Sequence, residues 1–397
     1  MDSLSQIVLG AAVGEVTLGK KVGNRAMLWG AVGGTIPDLD VIFSPLLTPL
    51  QDLVVHRGFS HSIVFSILGA FLFGWLIKRL YASRWHTHLA TAGWLLIPIG
   101  VTFFVSRIFE SGLGVMGTII MAAFLIVFGF LIWRHYQRRS WTEPNATMRD
   151  WQRLMFWSIF THPILDCFTT YGTQLFLPFS SYRVAFNAIA VADPIYTAPF
   201  LILVVIASFF HRERSLRRTL TWVGLAVSSG YLLFAVVNKQ RVNAVWTASL
   251  AANKAEYVRW MTSPTIFNNV LWNCLAETED AILYGQYSLF DHERKVHFQV
   301  LPKNRHLVKE YHDGKTLKVL DWFSDGYLVF SQDKSVLQAN DLRFGIGTLA
   351  DGSDHFIFHF PLEAQEGRLT MTGLNGGPPP GREQEMISAM FDRMWGK

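Results

Sequence analysis

The stretch LMFWSIFTHPILDCF, residues 154–168, decides how the chain is to be read. It is apolar enough for hydrocarbon, yet it carries His162 and Asp166 four residues apart. Residues at i and i+4 share one face of a helix. A neutral imidazole and a carboxylate on that face can bind one metal ion. Ionisable residues inside a membrane segment are costly and tend to mark function. The plainer reading of the same pair is a buried His–Asp hydrogen bond joining two helices. Pro163 is expected in a first turn or at a kink.

Seven further apolar runs flank this one: 4–18, 26–43, 63–77, 89–105, 114–133, 195–210 and 219–237. A helix needs roughly 20 mainly apolar residues to cross a bilayer, with about 17 as a lower limit. The expectation is therefore eight candidate spans. The first two are Gly-rich and suit buried or re-entrant helices equally well. Composition agrees with lipid as solvent. Half of the 397 residues are hydrophobic and only 16% are charged, against about 25% in soluble domains.

Charge divides the chain. Residues 1–237 hold 18 Lys and Arg against 11 Asp and Glu, and residues 238–397 hold 17 against 19. A basic membrane region is thus followed by a mildly acidic soluble one. The basic residues sit between apolar runs rather than on one stripe, which argues against nucleic acid. Cys167 and Cys274 form no CxxC spacing, so neither a disulfide framework nor a cysteine zinc site is expected. The start of the chain lacks the basic n-region of a cleavable signal peptide.

Lys and Arg cluster in alternate loops: Lys20, Lys21 and Arg25; Lys78, Arg79 and Arg84; Arg134 to Arg153; and Arg212 to Arg218. The positive-inside rule puts these loops in the cytoplasm. The same topology gathers another set of residues at the outer face. They are Asp2, Gln6, Asp38, Asp40, His56, His61, His162, Asp166, Arg183 and Asp193.

Within that set, Pro37-Asp38-Leu39-Asp40 brings two carboxylates close enough to repel unless a cation or proton lies between them. The run His56-Arg57-Gly58-Phe59-Ser60-His61-Ser62 precedes an apolar helix, which Ser60 or Ser62 can cap. Thr169 and Arg183 suit a phosphate or carboxylate ligand, or an interfacial loop. Asp193-Pro194 reads first as a helix cap. Three His and four Asp converge without a GxSxG or a P-loop. That favours a one- or two-metal site in which an Arg steadies an anion. Asp40 is the candidate general base and Arg57 the candidate anion partner. Gln6, Ser60, Thr169, Arg183 and Asp193 are candidate substrate contacts.

In these three motifs the sequence resembles the membrane-bound metal-dependent hydrolase family, the YdjM/YbcI-like group of bacterial inner-membrane proteins. The run Asp-Pro-Ile-Tyr-Thr at 193–197 fits the same group, and the resemblance covers roughly residues 1–237. It implies Asp38, His56, His61, His162 and Asp166 as ligands of a divalent metal, zinc first, with manganese or iron as alternatives. It also implies a distant likeness to zinc-dependent phospholipase C. One departure is Gln6, where many members carry His, and Gln is a poor zinc ligand.

Residues 238–397 read as a small, mainly antiparallel β (α+β) domain. Strands are expected at 282–290, 296–301, 317–323, 327–331 and 355–360 from period-two patterning. A polar helix is expected at 238–260 and an amphipathic one at 383–395. His292, His297, His306 and His312 read as surface residues. The whole is a polytopic α-helical membrane domain (1–237) followed by this domain (238–397), with the latter outside the inner membrane. The expected activity is hydrolysis of a phosphoester or other ester in a lipid or lipid-linked substrate. A transporter and a non-catalytic scaffold are the rival readings. A transporter would favour inverted repeats, and the sequence contains none.

Overall fold

Helix α1 (Ser3–Val22) and helix α2 (Asn24–Thr35) lie antiparallel, joined through Gly23 at a φ of 63° in the computed structural model. The structure describes residues 1–83, 134, 143–311, 314–333, 336–349, 351–365 and 367–396. Small residues line the seam of this hairpin. A Cβ on Gly10 would lie 2.3 Å from the Gly30 carbonyl oxygen, and one on Gly14 2.1 Å from that of Ala26. The two backbones therefore touch, as small residues permit in membrane helix pairs. The close approach sets Gln6, near the start of α1, beside Gly34 at the end of α2.

A 3-10 helix, Ile36–Leu46, continues α2 and carries Asp38 and Asp40. The short α3 (Pro49–Val55) and a 3-10 turn, Phe59–His61, lead into α4 (Ile63–Ala82). Ser62 caps α4 by accepting from the Phe65 amide at 3.0 Å. Then come α5 (Met148–Asp166), α6 (Pro194–Ser208) and α7 (Ser215–Ala252).

The chain separates into two compact units, Met1–Gly69 with Leu154–Lys397, and Ala70–Arg153. In the second, Tyr81 stacks on Trp151 at 5.5 Å. In the first, the far end of α1 is fixed by a buried ion pair. Arg217 donates from Nε to Glu15 Oε1 at 2.7 Å. Arg212 donates to the Lys21 carbonyl at 2.7 Å. The basic residues of the α1–α2 turn and of the α6–α7 loop thus meet at the end of α1 away from Gln6. A helix of 20 residues puts about 30 Å between its ends.

Among the described residues, three helices are long and apolar enough to cross a membrane: Asn24–Leu46, Ile63–Ala82 and Ser215–Ala252. Pro194–Ser208 is apolar but shorter. The expected segments at 89–105 and 114–133 lie outside the described residues. Segments 4–18 and 154–168 do form helices, but Glu15, His162 and Asp166 make them polar as well as apolar.

Helix α7 passes through residue 237 without a break, so the expected boundary falls inside one continuous helix. Its later part, with Val242, Trp246 and Leu250, packs on Trp272, Cys274 and Ala276. These belong to a four-stranded antiparallel sheet of β1 (Arg259–Pro264), β2 (Leu271–Glu277), β3 (Ala281–Ser288) and β4 (Phe298–Pro302). After α8 (Gly314–Ser324), β5 (Leu328–Asp333) and β6 (Val336–Asp341) begin a second sheet. The small hairpin β7 (Ile346–Thr348) and β8 (Asp354–Phe356) follows. Strands β9 (Phe358–Gln365), β10 (Arg368–Met371) and β11 (Asn375–Gly376) complete the second sheet, and α9 (Glu383–Met394) follows.

Several expectations are corrected. Residues 317–323 are helical, because Leu317, Leu320 and Phe323 recur every three residues and the last two are fully buried. Strands β1, β2, β6, β7, β10 and β11 lie outside the expected set, and the helix expected at 238–260 ends at Ala252, before β1. Nearly every residue of β2 is buried, so it lacks the alternation that marks a half-buried strand. The expected strand at 355–360 divides into β8 and β9 at Ile357. His292, His297 and His306 are exposed, and His312 lies outside the described residues.

The α1–α2 seam yields a prediction. Gly14→Val should destabilise the protein by about 1–3 kcal/mol, the usual cost of overpacking, and lower its unfolding temperature in detergent. An unchanged unfolding temperature would mean that these backbones are not in contact.

Candidate metal centre

The site assembles where α2 ends, α4 begins and α5 ends. Asp38 comes from the 3-10 helix after α2, and His61 from the turn before α4. His162 and Asp166 lie one turn apart at the end of α5. Pro163 therefore sits in the last turn of its helix, not the first. The chain leaves this helix through Thr169, whose amide and hydroxyl both donate to the Asp166 carbonyl.

One donor atom from each of Asp38, His61, His162 and Asp166 lies within 4.8 Å of all the others, so this group can hold a metal ion. His162 Nε2 is 3.3 Å from Asp38 Oδ1 and from Asp166 Oδ2. His61 Nε2 is 3.4 Å from both of these oxygens. The two Nε2 atoms are 3.1 Å apart. A tetrahedron with about 2.0–2.1 Å from centre to donor, the zinc–nitrogen distance, has edges of roughly 3.3 Å. Five of the six edges here have that length.

Hydrogen bonding aims these donors inward. His162 Nδ1 donates to the Gly34 carbonyl at 2.6 Å, which leaves the Nε2 lone pair pointing at the group. His61 Nδ1 lies 3.0 Å from Ser60 Oγ, so its Nε2 is likewise the inward atom. Two protonated Nε2 atoms cannot face each other at 3.1 Å. Three of the eight buried side-chain atoms without a hydrogen-bond partner among the described residues lie here: Gln6 Oε1, Arg57 Nε and Asp166 Oδ2. Buried polar atoms are ordinarily satisfied; the two oxygens fit a cation, whereas the Arg57 N–H is a donor and fits an anion instead. The Asp38 side chain is 19% exposed and those of the other three donors at most 1%. Access to the centre is therefore from the Asp38 side.

The other candidate residues take different places. His56 is not in the group of four; its Nδ1 lies 3.3 Å from Asp40 Oδ1, and its side chain is 29% exposed. Asp40 is buried and also accepts from the Arg57 amide at 3.0 Å and from Ser60 Oγ at 3.4 Å. Arg57 adopts a φ of 54°, strained for a residue with a side chain. Its guanidinium lies 3.4 Å from Asp166 Oδ1 and donates to Thr169 Oγ1 at 2.8 Å.

Gln6 is buried behind the centre, where its Nε2 donates to Asp166 Oδ1 at 3.1 Å and to the His162 carbonyl at 3.2 Å. The Met1 amino group reaches the same oxygen. Gln6 and Thr169 thus support Asp166 and Arg57 from within. Asp193 is not brought to the centre. It caps α6 through the Ile195 and Tyr196 amides and accepts from the Tyr231 hydroxyl at 2.8 Å. Burial outweighs those bonds and raises its carboxyl above the usual range. Arg183 packs against Tyr171 and Phe323, away from the four donors. Burial, with Arg343 close by, brings its guanidinium down to about 9. Sequence reasoning missed the Gly34 carbonyl, because a backbone acceptor carries no residue signature.

The support by Gln6 is testable. Partners of metal ligands typically contribute 10- to 100-fold in affinity. Gln6→Ala should weaken zinc binding by about that factor in a chelator competition titration. An unchanged affinity would show that Gln6 does not support Asp166.

Comparison with known proteins places the sequence in a family. No curated protein and no solved structure matches the chain. A family model described as YdjM inner membrane protein matches residues 1–110 and 112–242, which span every residue of the centre and more than half of the sequence. The chain belongs to the YdjM inner membrane protein family.

Proposed function

We propose that the protein is a multi-pass metallohydrolase of the bacterial inner membrane. Its centre holds one divalent ion, zinc first, through Asp38, His61, His162 and Asp166. The substrate is a phosphoester or other ester in a lipid or lipid-linked molecule. The observation that carries the metal part of this reading is the near-tetrahedral spacing of four inward-facing donors. Hydrolysis requires a further position for water, and Asp38, the one partly exposed donor, marks the side from which water would enter.

A bound divalent ion supplies Lewis acidity, activating water and polarising the scissile bond. The remaining work falls to the chain. His56 is hydrogen-bonded to Asp40 through Nδ1 and is partly exposed, so its Nε2 is free to take or give a proton. Asp40 orients that ring. Both Asp40 oxygens are engaged, which makes His56 the better candidate base. Arg57 offers positive charge to an anionic group beside Asp166.

Leu39, Val41, Ile42 and Phe43 are 45–64% exposed on the same 3-10 helix as Asp38 and Asp40. Apolar side chains at this position suit acyl chains, which favours a lipid substrate. With the basic loops cytoplasmic, the centre and the β region lie at the outer face.

The test is hydrolysis by the zinc-loaded, detergent-solubilised protein, with phospholipid and other phosphoester substrates. His56→Ala should lower turnover by about 10²- to 10⁴-fold, the usual contribution of a general acid–base group, while leaving the metal content intact. Metal-loaded wild-type protein without turnover on phosphoesters or carboxylic esters would contradict the hydrolase reading and favour a scaffold.

A further inference from the structure

The family match ends at residue 242, so the family assigns no role to the β region that follows. This region meets the helical half at several places, among them Ala188 and Ala192, and the side chain nearest the metal centre in sequence is Tyr171, five residues beyond Asp166. Tyr171 is buried in the apolar cluster of Leu320, Phe323, Phe330 and Phe360, together with Leu53 of α3. Its ring meets Phe323 edge-on at 4.9 Å. Arg183 stacks on Phe323 at 4.1 Å and on Tyr171 at 5.1 Å. It also donates to the carbonyls of Phe323 and Tyr171. Arg343, held by buried Asp341, reaches the Thr170 carbonyl at 3.4 Å.

The same Tyr171 ring meets the candidate site. Arg57 Cζ lies 4.9 Å from its centroid, and the His56 ring 5.2 Å away, edge-on. Arg57 has a strained backbone and, among the described residues, an Nε without a hydrogen-bond partner; Thr169 and Asp166 hold its two terminal nitrogens, and the Tyr171 ring is the contact on its face. A cation–π contact away from water corresponds to roughly 2- to 30-fold in an equilibrium.

We propose that Tyr171 is a positioning residue, through which docking of the β region sets Arg57 and His56 at the mouth of the metal centre. The β region is then a working part of the site and not an appended module. The proposal deepens the metallohydrolase reading, yet its primary readout does not require a metal.

The test uses the full chain in detergent, with Tyr171→Leu, Tyr171→Phe and, from the β side, Phe323→Leu. The primary readout is amide hydrogen exchange over residues 56–62; the second is the visible spectrum of the cobalt(II)-loaded protein. Tyr171→Leu should speed exchange over 56–62 by roughly 2- to 30-fold and alter the cobalt band. Tyr171→Phe keeps the ring and should restore both. Phe323→Leu should move exchange over 56–62 in the same direction as Tyr171→Leu. Faster exchange confined to residues 314–371 in Phe323→Leu, with 56–62 unchanged in both leucine variants, would overturn the proposal. Wild-type protein that binds no cobalt would count against the metal reading alone, and the exchange result would still decide the role of Tyr171.

Discussion

Four electron-rich donor atoms meet with their lone pairs facing one another inside an apolar bundle, and much of the helical half is arranged to hold them there. Carboxylates and imidazoles so close are costly to bury unless a cation or shared proton compensates them. Each donor comes from a separate constraint. Asp38 follows the end of α2, and His61 ends the turn before α4. His162 is fixed by the Gly34 carbonyl, and Asp166 is surrounded by Gln6, Arg57 and the Met1 amino group. The bare α1–α2 seam is part of the same arrangement, because it brings both Gln6 and Gly34 to His162.

The opposite end of α1 carries a second buried charge arrangement of different character. Arg217 and Glu15 form a paired, bidentate contact that also engages Asn24. Such a pair is satisfied within itself, and it ties α7 to the first hairpin. The contrast is physical: a pair of opposite charges closes its own electrostatics, whereas a cluster of acceptors asks for something more. This contrast separates the structural end of the bundle from the candidate functional one.

Much of this was legible in the sequence because the chemistry was local or periodic. His162 and Asp166 are four apart on a helix, and the resemblance named Asp38 and His61 beside them. The clustering of basic residues in alternate loops anticipated that Lys21 and Arg212 would meet at one end. Other features required three dimensions. His56 looks like His61 in sequence, yet only one of them faces the centre, since the chain turns at Arg57 with a positive φ. Gln6 and Thr169 read as candidate substrate contacts, and their burial against Asp166 and Arg57 was not legible in the sequence. In the β region, strand β2 escaped notice because it is buried on both faces, and helix α8 imitated a strand because its apolar residues recur at short intervals.

We hold that the four donors bind one ion, a claim that the metal content of the purified protein decides by elemental mass spectrometry. Wild-type protein should carry one divalent transition-metal ion per chain, and His162→Ala and Asp166→Ala should lose it while remaining folded. Folded wild-type protein without bound metal, even after incubation with zinc, manganese or iron, would contradict the claim. The His–Asp cluster would then be a proton-sharing structural contact between helices.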